Sequence, residues 1–497
     1  MNDDLSGQVR TTLASGGETA IAFGGRWRSW AWVARLAGQL DAALAAAGVP
    51  ADAPIALIAR NRPAHVAAFA SQIAARRTTS MVYSAQSAAA LAADIRALKA
   101  AAILADLQDW TDELKAAAVA AGSAGLALID DPETPVRPVP GLERVGPGPH
   151  RTTAPGVAFE LLSSGTTGPP KRLPLSWATV ESATRDAGTV YAGTAQRQAP
   201  LLMLAPMGNV GGTSYLCPPL ATGQPIVLLE KFTVESWTDA VRTYRPARSA
   251  LPPAAVRMVV DAKVPPEALS SLTVLGVGGA RIEPDLQAEF EAIYDIPILT
   301  AFGATEFAGV VANWSLDLYR QYGPAKRGSA GRASPGVALR AVDAETFAPL
   351  AAGAVGLLEA KVDRLGPDWI RTTDLASLDA DGFLFLHGRA DGAINRGGFK
   401  VVPEVVADVL RRHPAVAEAA VVGIPDARLG EVPVAAVELR AGSEAPAPEA
   451  LKAFARENLL AYQTPVEVRI VDALPRTLSM KVSTPEVRAL FRGPDGA

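Results

Sequence analysis

Short apolar runs alternate with segments of helical periodicity over the first hundred residues of the chain. Residues 29–49, SWAWVARLAGQLDAALAAAGV, repeat apolar side chains at helical spacing, and the run APIALIAR that follows is typical of a buried strand. The alternation continues through PAHVAAFASQIAA, TSMVYSA, AAALAADIRALKA and AAILAD. Strands that alternate with helices form parallel sheets covered by those helices, so the sequence predicts an α/β fold.

The chain is too long for one ordinary domain, since its 497 residues are 49% hydrophobic and can bury a large core. From Asp391 onward AINRGGFKV predicts a strand, and helices and strands then alternate up to VEVRIVD, as in a compact α+β unit. We predict a large N-terminal domain of several βα-layered subdomains over residues 1–388 and a small mobile α+β C-terminal domain over residues 389–497. The Pro- and Gly-rich segment 132–150 is expected to be a connector that is ordered against the surface.

Charge and cysteine content exclude several classes of partner. The 47 basic and 51 acidic residues give a formal net charge of -4, which offers no general basic field for nucleic acid or an anionic membrane. The N-terminus is acidic and lacks an apolar signal core, so we expect a cytoplasmic protein with a small ligand, and a homodimer stays open. Cys217 is the only cysteine and is expected to be a buried thiol.

The loop SSGTTGPPK lies between the apolar runs VAFELL and RLPLSW. Its glycines allow backbone N–H groups to turn inward, and its hydroxyls and its lysine add donors and a cation, which together suit a polyphosphate. The spacing does not match a P-loop, because no Gly-Lys-Ser/Thr follows. The predicted phosphate-binding residues are Ser163, Ser164, Gly165, Thr166, Thr167, Gly168 and Lys171.

This loop resembles the Ser/Thr/Gly-rich phosphate loop of the adenylate-forming superfamily, the AMP-dependent synthetases and ligases. That superfamily includes acyl- and aryl-CoA synthetases, amino-acid adenylation domains and luciferases. Three further stretches resemble its elements in the same order: AFGATE at 301–306, RTTDLASLDADGFLFLHGRAD at 371–391 and LPRTLSMKV at 474–482. The resemblance implies an acid–thiol ligase that uses ATP, Mg²⁺ and CoA, with a carrier protein as the alternative acceptor.

The resemblance assigns nucleotide-binding roles to residues of these elements. Glu306 is expected to hold Mg²⁺ and Thr305 to bond a phosphate oxygen. Phe302, before Gly303, is expected to pack on adenine, although core packing would explain it equally well. Asp374 and Arg389 are expected to bond the ribose hydroxyls. The segment GVGGA, with Gly278, Gly279 and Ala280, is assigned to the acyl pocket and the adenine wall.

Lys481 is the expected catalyst of adenylation, because its ammonium would bridge the incoming carboxylate and the α-phosphate as negative charge builds. A lysine so far from the phosphate loop in sequence requires closure of the small domain, for which the resemblance implies a hinge at Asp391. In the second pose the NRGGFK loop, with Gly397 and Gly398, would line the pantetheine tunnel, and a tight β-turn at this loop is compatible with that role.

The segment APMGNVGG departs from the superfamily's pattern at the expected acyl pocket. Gly208 stands where an aromatic residue is usual and Asn209 where a histidine is usual. Asn209 is neutral, which disfavours an amino-acid substrate, and it could bond a ring hydroxyl beside Val210 and Gly211. A hydroxybenzoate-like aryl acid is therefore favoured over a medium-chain alkyl acid, which Gly208 would also accommodate.

The stretch around Asp374 departs from the superfamily's pattern in two further ways. Thr373 replaces a glycine of the superfamily's pattern, and the usual G-Y-x-x-x-P segment before Asp374 is missing. A serine hydrolase or zinc enzyme is disfavoured because the chain has no G-x-S-x-G motif and no evident ligand cluster. A non-enzymatic nucleotide-binding module remains the alternative, although binding alone needs neither Lys481 nor Glu306. CoA is the expected acceptor because the sequence ends soon after the lysine element with no carrier domain.

Overall fold

The computed structural model describes residues 4–84, 86–147, 150–162, 172–190, 199–397, 399–426, 428–477 and 480–491. The helices are α1 (Leu5–Ala14), α2 (Trp30–Ala46), α3 (Pro63–Ala74), α4 (Ala88–Leu98), α5 (Asp112–Ala121), α6 (Trp177–Val190), α7 (Val210–Thr222), α8 (Val234–Tyr244), α9 (Pro253–Asp261), α10 (Pro284–Tyr294), α11 (Leu316–Tyr322), α12 (Pro403–Arg411), α13 (Pro448–Asn458) and α14 (Thr484–Leu490).

The strands are β1 (Ile21–Phe23), β2 (Arg26–Arg28), β3 (Ile55–Ala59), β4 (Thr79–Tyr83), β5 (Ala102–Asp106), β6 (Ala124–Leu128), β7 (Val136–Pro138), β8 (Val157–Leu162), β9 (Arg172–Ser176), β10 (Leu201–Met203), β11 (Ile226–Leu228), β12 (Arg248–Leu251), β13 (Val274–Val277), β14 (Ile298–Ala304), β15 (Gly309–Asn313), β16 (Arg332–Ala333), β17 (Val337–Val342), β18 (Gly356–Val362), β19 (Trp369–Leu378), β20 (Leu384–Arg389), β21 (Ile394–Arg396), β22 (Phe399–Val401), β23 (Val416–Asp426), β24 (Gly430–Leu439) and β25 (Glu467–Val471).

The largest sheet has seven strands in the order β7-β6-β5-β3-β4-β8-β9. Its five central strands are parallel, and β7 and β9 are antiparallel edges. Successive side chains of β3 enter different cores, since Ile55 and Leu57 join one hydrophobic cluster while Ala56 and Ile58 join another. Both faces are therefore covered, as expected for a parallel sheet that is connected by helices.

Three further sheets complete the larger part of the chain. One has the order β10-β11-β1-β2 and a second the order β12-β13-β14-β15-β16, in which the first three strands are parallel. A core that includes Trp237 and Phe290 packs against this second sheet. The third sheet is an antiparallel meander, β17-β18-β19-β20, and its last strand ends at Arg389, where the sequence predicts the domain boundary.

The C-terminal sheet has the order β22-β21-β24-β23, with β25 parallel to β24. Along β23, Ala419 and Val421 pack into a cluster with residues of α12 and α13, while Ala420 and Val422 pack into a cluster with residues of α14. This sheet therefore has its own core on each face, which is the physical requirement for a separate folding unit.

The predicted α/β class with a small α+β unit is confirmed, and two details of the sequence analysis can be refined. The single strand predicted over AINRGGFKV is wrong, because β21 and β22 form an antiparallel hairpin in which Ile394 pairs with Val401. The connector at 132–150 is ordered where it is described: β7 adds to the sheet edge, and Arg35 and Gln39 donate to Pro132 O and Glu133 O. Within the described ranges, no helix has the length and apolar character needed to cross a bilayer.

Candidate active site

The turn that carries Thr305 and Glu306 follows a bulge between β14 and β15. The register of these strands shifts between Phe302 and Gly303. A Cβ at Gly303 would lie 2.4 Å from Gly309 O, so only glycine lets the two backbones approach so closely. Thr305 is half-buried and Glu306 is exposed at the end of the parallel strands, where ligands of such sheets bind.

Phe302 is half-buried on the same strand. Its ring packs against the cores between this sheet and the meander and lies 6.3 Å from the ring of Phe307. Core packing therefore accounts for at least part of this side chain, and the adenine contact stays a prediction.

Asp374 and Arg389 are direct register partners on β19 and β20. The Arg389 guanidinium, however, donates to both oxygens of Asp391 at 2.9 Å and to Thr373 Oγ1 at 2.6 Å. Thr373 thus has a structural role, since its hydroxyl orients Arg389 in a way that a glycine could not. The predicted ribose contact of Arg389 would require this guanidinium to keep or exchange those partners when nucleotide binds.

Lys481 lies in a tight loop near the end of the small unit. Thr477 N donates to Lys481 O at 2.8 Å, and Arg476 Nη1 donates to Met480 O at 3.2 Å. Met480 has a φ of 62°, in the left-handed region that non-glycine residues rarely adopt. The loop therefore holds Lys481 at a backbone position that is fixed by hydrogen bonds on both sides.

The Lys481 side chain enters a crevice lined by both parts of the chain. A Cβ at Gly279 would lie 3.5 Å from Lys481 Cε, and Gly279 itself has a φ of 82°. Lys481 is close enough to Arg389, Asp374 and Glu306 for their charges to act on its pKa. Residues predicted from three separate motifs therefore lie within electrostatic range of Lys481.

The pKa values of this cluster are shifted by burial first and by neighbouring charges second. Desolvation, together with the positive charge of Arg389, lowers the pKa of Lys481, although the carboxylates of Asp374 and Glu306 act against it. Desolvation raises the pKa of Asp374, and Arg389 offsets part of that rise. Much of the Lys481 surface is open to solvent even though protein surrounds it, so water screens these charges.

The predicted acyl-pocket residues lie at the carboxyl ends of β3 and β4. Gly208 is buried, and a Cβ there would lie 3.5 Å from both Ala59 Cβ and Tyr83 Cδ2. Asn209 caps α7, since its Oδ1 accepts from Gly212 N at 2.8 Å. Val210 begins that helix, and the exposed Gly211 follows it. The sequence analysis interpreted Asn209 only as a substrate ligand, whereas the structure gives it a helix-capping role as well.

The other predicted site residues differ in what the structure describes. Gly278 and the exposed Ala280 flank Gly279 in the turn after β13. The loop 163–171 lies outside the described residues, and its flanking residues Leu162 and Arg172 are register partners of β8 and β9. Gly397 has a φ of 58° in the β21–β22 hairpin, while Gly398 lies outside the described residues.

Sequence reasoning missed two positioning side chains. Asn61 is buried and binds the segment before Gly208 through two hydrogen bonds, to Ala205 O and from Met207 N, and a third bond to Leu229 O ties that segment to the end of β11. Arg364 lies in the shortened segment before Asp374 and donates to Phe307 O and Val310 O, on both sides of the turn after Glu306. The sequence gives no signal for either role, because each contact joins residues that are more than fifty positions apart.

The chain matches the sequence models of two consecutive families. The first, described as AMP-binding enzyme, matches residues 10–361, which is well over half of the chain, and the second, the AMP-binding enzyme C-terminal domain, matches residues 406–481. The chain belongs to the AMP-binding enzyme family. The predicted resemblance to adenylate-forming enzymes is thus confirmed, as is the prediction of an acid–thiol ligase.

Relatives of this AMP-binding enzyme include the indoleacetate–CoA ligase of Aromatoleum aromaticum, which is 31% identical over 370 residues, 70% of this chain and 71% of that protein. The fatty acid–acyl-carrier-protein ligase ScoC of Streptomyces coeruleorubidus is 29% identical over 365 residues, 70% of each chain. The ATP-bound MatB structure from Rhodopseudomonas palustris has the same fold, with a TM-score of 0.82 over 99% of both chains at 21% identity.

Proposed function

We propose that the chain is an ATP-dependent carboxylate–CoA ligase that forms an acyl-adenylate and then transfers the acyl group to the thiol of CoA. The observation that carries the proposal is the crevice beside Gly279, where the Lys481 side chain lies within electrostatic range of Arg389, Asp374 and Glu306. Activation of an acid by ATP requires a cation, here the Lys481 ammonium, between the carboxylate and the α-phosphate. It also requires one carboxylate to hold a metal ion and another to bind the ribose. The similarity to a CoA ligase over most of both chains supports the same reaction class.

In the first half-reaction, a carboxylate oxygen of the acid attacks the α-phosphorus of ATP, the bond to the β-phosphate oxygen breaks, and pyrophosphate leaves. The Lys481 ammonium would neutralise the charge that builds on the two reactants as they approach. Burial raises the pKa of Asp374, and we propose that its carboxylate accepts hydrogen bonds from the ribose hydroxyls.

The donor set at Glu306 fits a bound Mg²⁺ ion. Mg²⁺ usually keeps several waters and is held by one or two carboxylates together with substrate phosphates. The Glu306 carboxylate is exposed and makes no ion pair with another residue of the described ranges. Mg²⁺ bound there would supply charge neutralisation at the phosphates, and Thr305 would orient a phosphate oxygen beside it.

In the second half-reaction, the thiol sulfur attacks the acyl carbonyl, the carbon–oxygen bond to AMP breaks, and the thiol proton passes to solvent. We propose that the small domain, over residues 389–497, turns about Asp391 between the two steps, which would withdraw Lys481 and bring the β21–β22 hairpin to the site. In the present pose Asp391 is paired with Arg389. That pair would be among the contacts to change.

The acid substrate is proposed to be aromatic and hydroxybenzoate-like. Gly208 lies between Ala59 and the ring of Tyr83, where an added Cβ would be 3.5 Å from both side chains, and the Asn209 cap uses only the Oδ1 atom. The Nδ2 group of Asn209 can therefore donate to a ring hydroxyl. The indoleacetate ligase, whose named substrate is an aryl acid, is a relative consistent with this choice.

Mass spectrometry of the products tests this function. Purified protein with ATP and Mg²⁺ is given hydroxybenzoates, other aryl acids and medium-chain fatty acids, each with CoA, with a phosphopantetheinylated carrier protein, or with neither. Aryl-CoA and AMP are the expected products. Formation of fatty acyl-CoA would show that the acid is not aromatic. Acyl-AMP that does not react with CoA but loads the carrier protein would show that the acceptor is a carrier protein. Nucleotide binding without adenylate from any acid would favour a binding module.

A further inference from the structure

Four charged side chains form a closed ring between the segment after β13 and helix α12 of the small unit. Arg281 Nη1 donates to Asp408 Oδ2 at 2.7 Å, and Arg411 Nη1 donates to Glu283 Oε1 at 3.1 Å. The other two contacts lie within one segment each: Arg411 is 2.6 Å from Asp408 on α12, and Arg281 is 3.7 Å from Glu283 after β13. We call these four residues the ion ring. Two of its four contacts cross the predicted domain boundary.

The ion ring is connected to the Lys481 crevice on both of its sides. Arg281 and Glu283 closely follow Gly279, the residue against which the Lys481 side chain packs. On the other side, Arg411 is fixed to the small sheet by Glu418 Oε1 at 2.5 Å and by Ala419 O at 3.2 Å. The ring therefore links the sheet of the small unit to the same turn that forms one wall of the crevice.

The two parts of the chain also approach closely next to the ion ring, at Gly388 and the start of α12. A Cβ at Gly388 would lie 2.7 Å from Glu404 Oε2 and 2.9 Å from Val402 Cγ1, so the end of β20 and the start of α12 touch closely. A rotation of the small unit about the 389–391 segment that moves α12 away from the turn after β13 would separate Arg281 from Asp408 and Glu283 from Arg411.

We infer that the ion ring positions Lys481 for acid activation, by holding the small unit in the pose that faces Glu306 and Asp374, and thereby sets the rate of adenylation relative to acyl transfer. This inference rests on the proposed function. The ring side chains keep 21% to 32% of their surface exposed, so each crossing pair changes the population of the pose by a factor of about two to five. Pairs of that strength hold the pose and still break in every turnover.

Neutral substitutions of nearly equal size test the inference through the two half-reactions. The variants are Arg281→Gln, Asp408→Asn and the double variant. Acid-dependent pyrophosphate release is expected to slow by about twofold to fivefold, while acyl transfer from synthetic acyl-adenylate to the thiol that the wild type uses is unchanged or faster. The double variant is expected to be no slower than the slower single one, because both remove the same pair.

The matched control is Arg257→Gln, which removes an ion pair of the same type within the larger part. Arg257 Nη1 lies 2.9 Å from Glu289 Oε2, and both residues belong to neighbouring helices, α9 and α10. This control loses the same charge without loosening the small unit. It is expected to leave the ratio of the two half-reactions unchanged.

Ionic strength supplies a second measurement on the unaltered protein. Raising the salt from about 0.05 M to about 0.5 M is expected to slow adenylation by the wild type more than by the double variant, because salt screens half-exposed pairs. The inference would be overturned if the ring variants lost rate equally in both half-reactions or changed neither. It would also be overturned if the rate losses of the two single variants multiplied in the double variant. A wild type that forms acyl-adenylate from no acid would overturn the proposed function itself.

Discussion

The pKa of Lys481 is lowered by its surroundings, although much of the side chain is open to solvent. Desolvation and Arg389 both disfavour the protonated form, and Asp374 and Glu306 recover part of that loss. An ammonium in such a site is poised to gain from the negative charge of a phosphate or a carboxylate. Its shifted pKa thus accords with a site for anionic reactants.

This setting predicts an alkaline limit to adenylation. The reaction needs the protonated form of Lys481, and the pKa of Lys481 is lowered from its ordinary value of 10.5, so the rate is expected to fall as pH rises through a value below 10.5. Single-turnover adenylate formation between about pH 7 and about pH 10 measures this limit. Lys481→Arg should remove the decline, since arginine stays protonated over that range.

Lys452→Arg is the matched control for this pH profile, because Lys452 lies on α13 of the same unit and pairs only loosely with Glu449, at 3.8 Å. It should keep the wild-type profile. An alkaline decline at the same pH in Lys481→Arg would show that another group titrates.

Cys217 is predicted to be chemically silent in the folded protein. The side chain is 1% exposed, and burial raises the pKa of its thiol to about 12, so almost no thiolate is present near neutral pH. Iodoacetamide at about pH 8 should leave the native protein unlabelled and should label the urea-unfolded protein once per chain. Labelling of the native protein at the rate of a free cysteine would contradict the buried placement.

The sequence predicted which residues belong to the site better than it predicted the hydrogen bonds that those residues make. Lys481, Glu306 and Asp374 were predicted from motifs, and in the structure the charges of Glu306 and Asp374 act on the pKa of Lys481, while their catalytic roles stay predictions. Asn209 was recognised as a departure, but its local capping bond to Gly212 was overlooked, although an Asn just before a helix is a usual cap. The bond from Arg389 to Thr373 could not be found, because it depends on the register of β19 against β20.

Among the elements, the β14–β15 turn depends most strictly on one residue. Gly303→Ala would place a methyl group 2.4 Å from Gly309 O and 2.8 Å from Val310 Cα, so the backbone must move. Overpacking of this kind costs about 1–3 kcal/mol of unfolding free energy. Because the displaced turn carries Thr305 and Glu306, pyrophosphate release is also expected to fall by about tenfold or more.

Denaturant unfolding and pyrophosphate release measure the two effects, and Gly38→Ala provides the control. Gly38 lies in α2 with no atom within 4 Å of an added Cβ, so alanine there should raise stability by up to about 1 kcal/mol and leave activity alone. A Gly303→Ala protein with wild-type stability and activity would contradict this account of the turn.

Periodicity predicted the elements that are buried on regular faces. Strand β3 and helices α2 and α3 were predicted correctly because their apolar spacing directly reflects the cores that they join. The stretch predicted as one strand is the hairpin of β21 and β22, which agrees with the alternative of a tight β-turn at NRGGFK, and the strand prediction failed because the left-handed Gly397 lies inside a continuous strand-like pattern.

The larger part of the chain and the small C-terminal unit contact each other through residues that no sequence pattern identifies. Arg281 and Asp408 are 127 positions apart, and each looks like an ordinary surface charge in sequence. Their pairing becomes visible only when the small unit is placed beside the turn after β13. The same placement sets Lys481 against Gly279.

In the proposed mechanism Lys481 serves acid activation and not acyl transfer. The direct test is to measure both half-reactions in the wild type, in Lys481→Ala and in the control Lys452→Ala. We expect Lys481→Ala to lose about a hundredfold or more in acyl-adenylate formation while it still converts supplied acyl-adenylate to the thioester at the wild-type rate. Equal loss of both half-reactions, or full retention of the first, would contradict the claim.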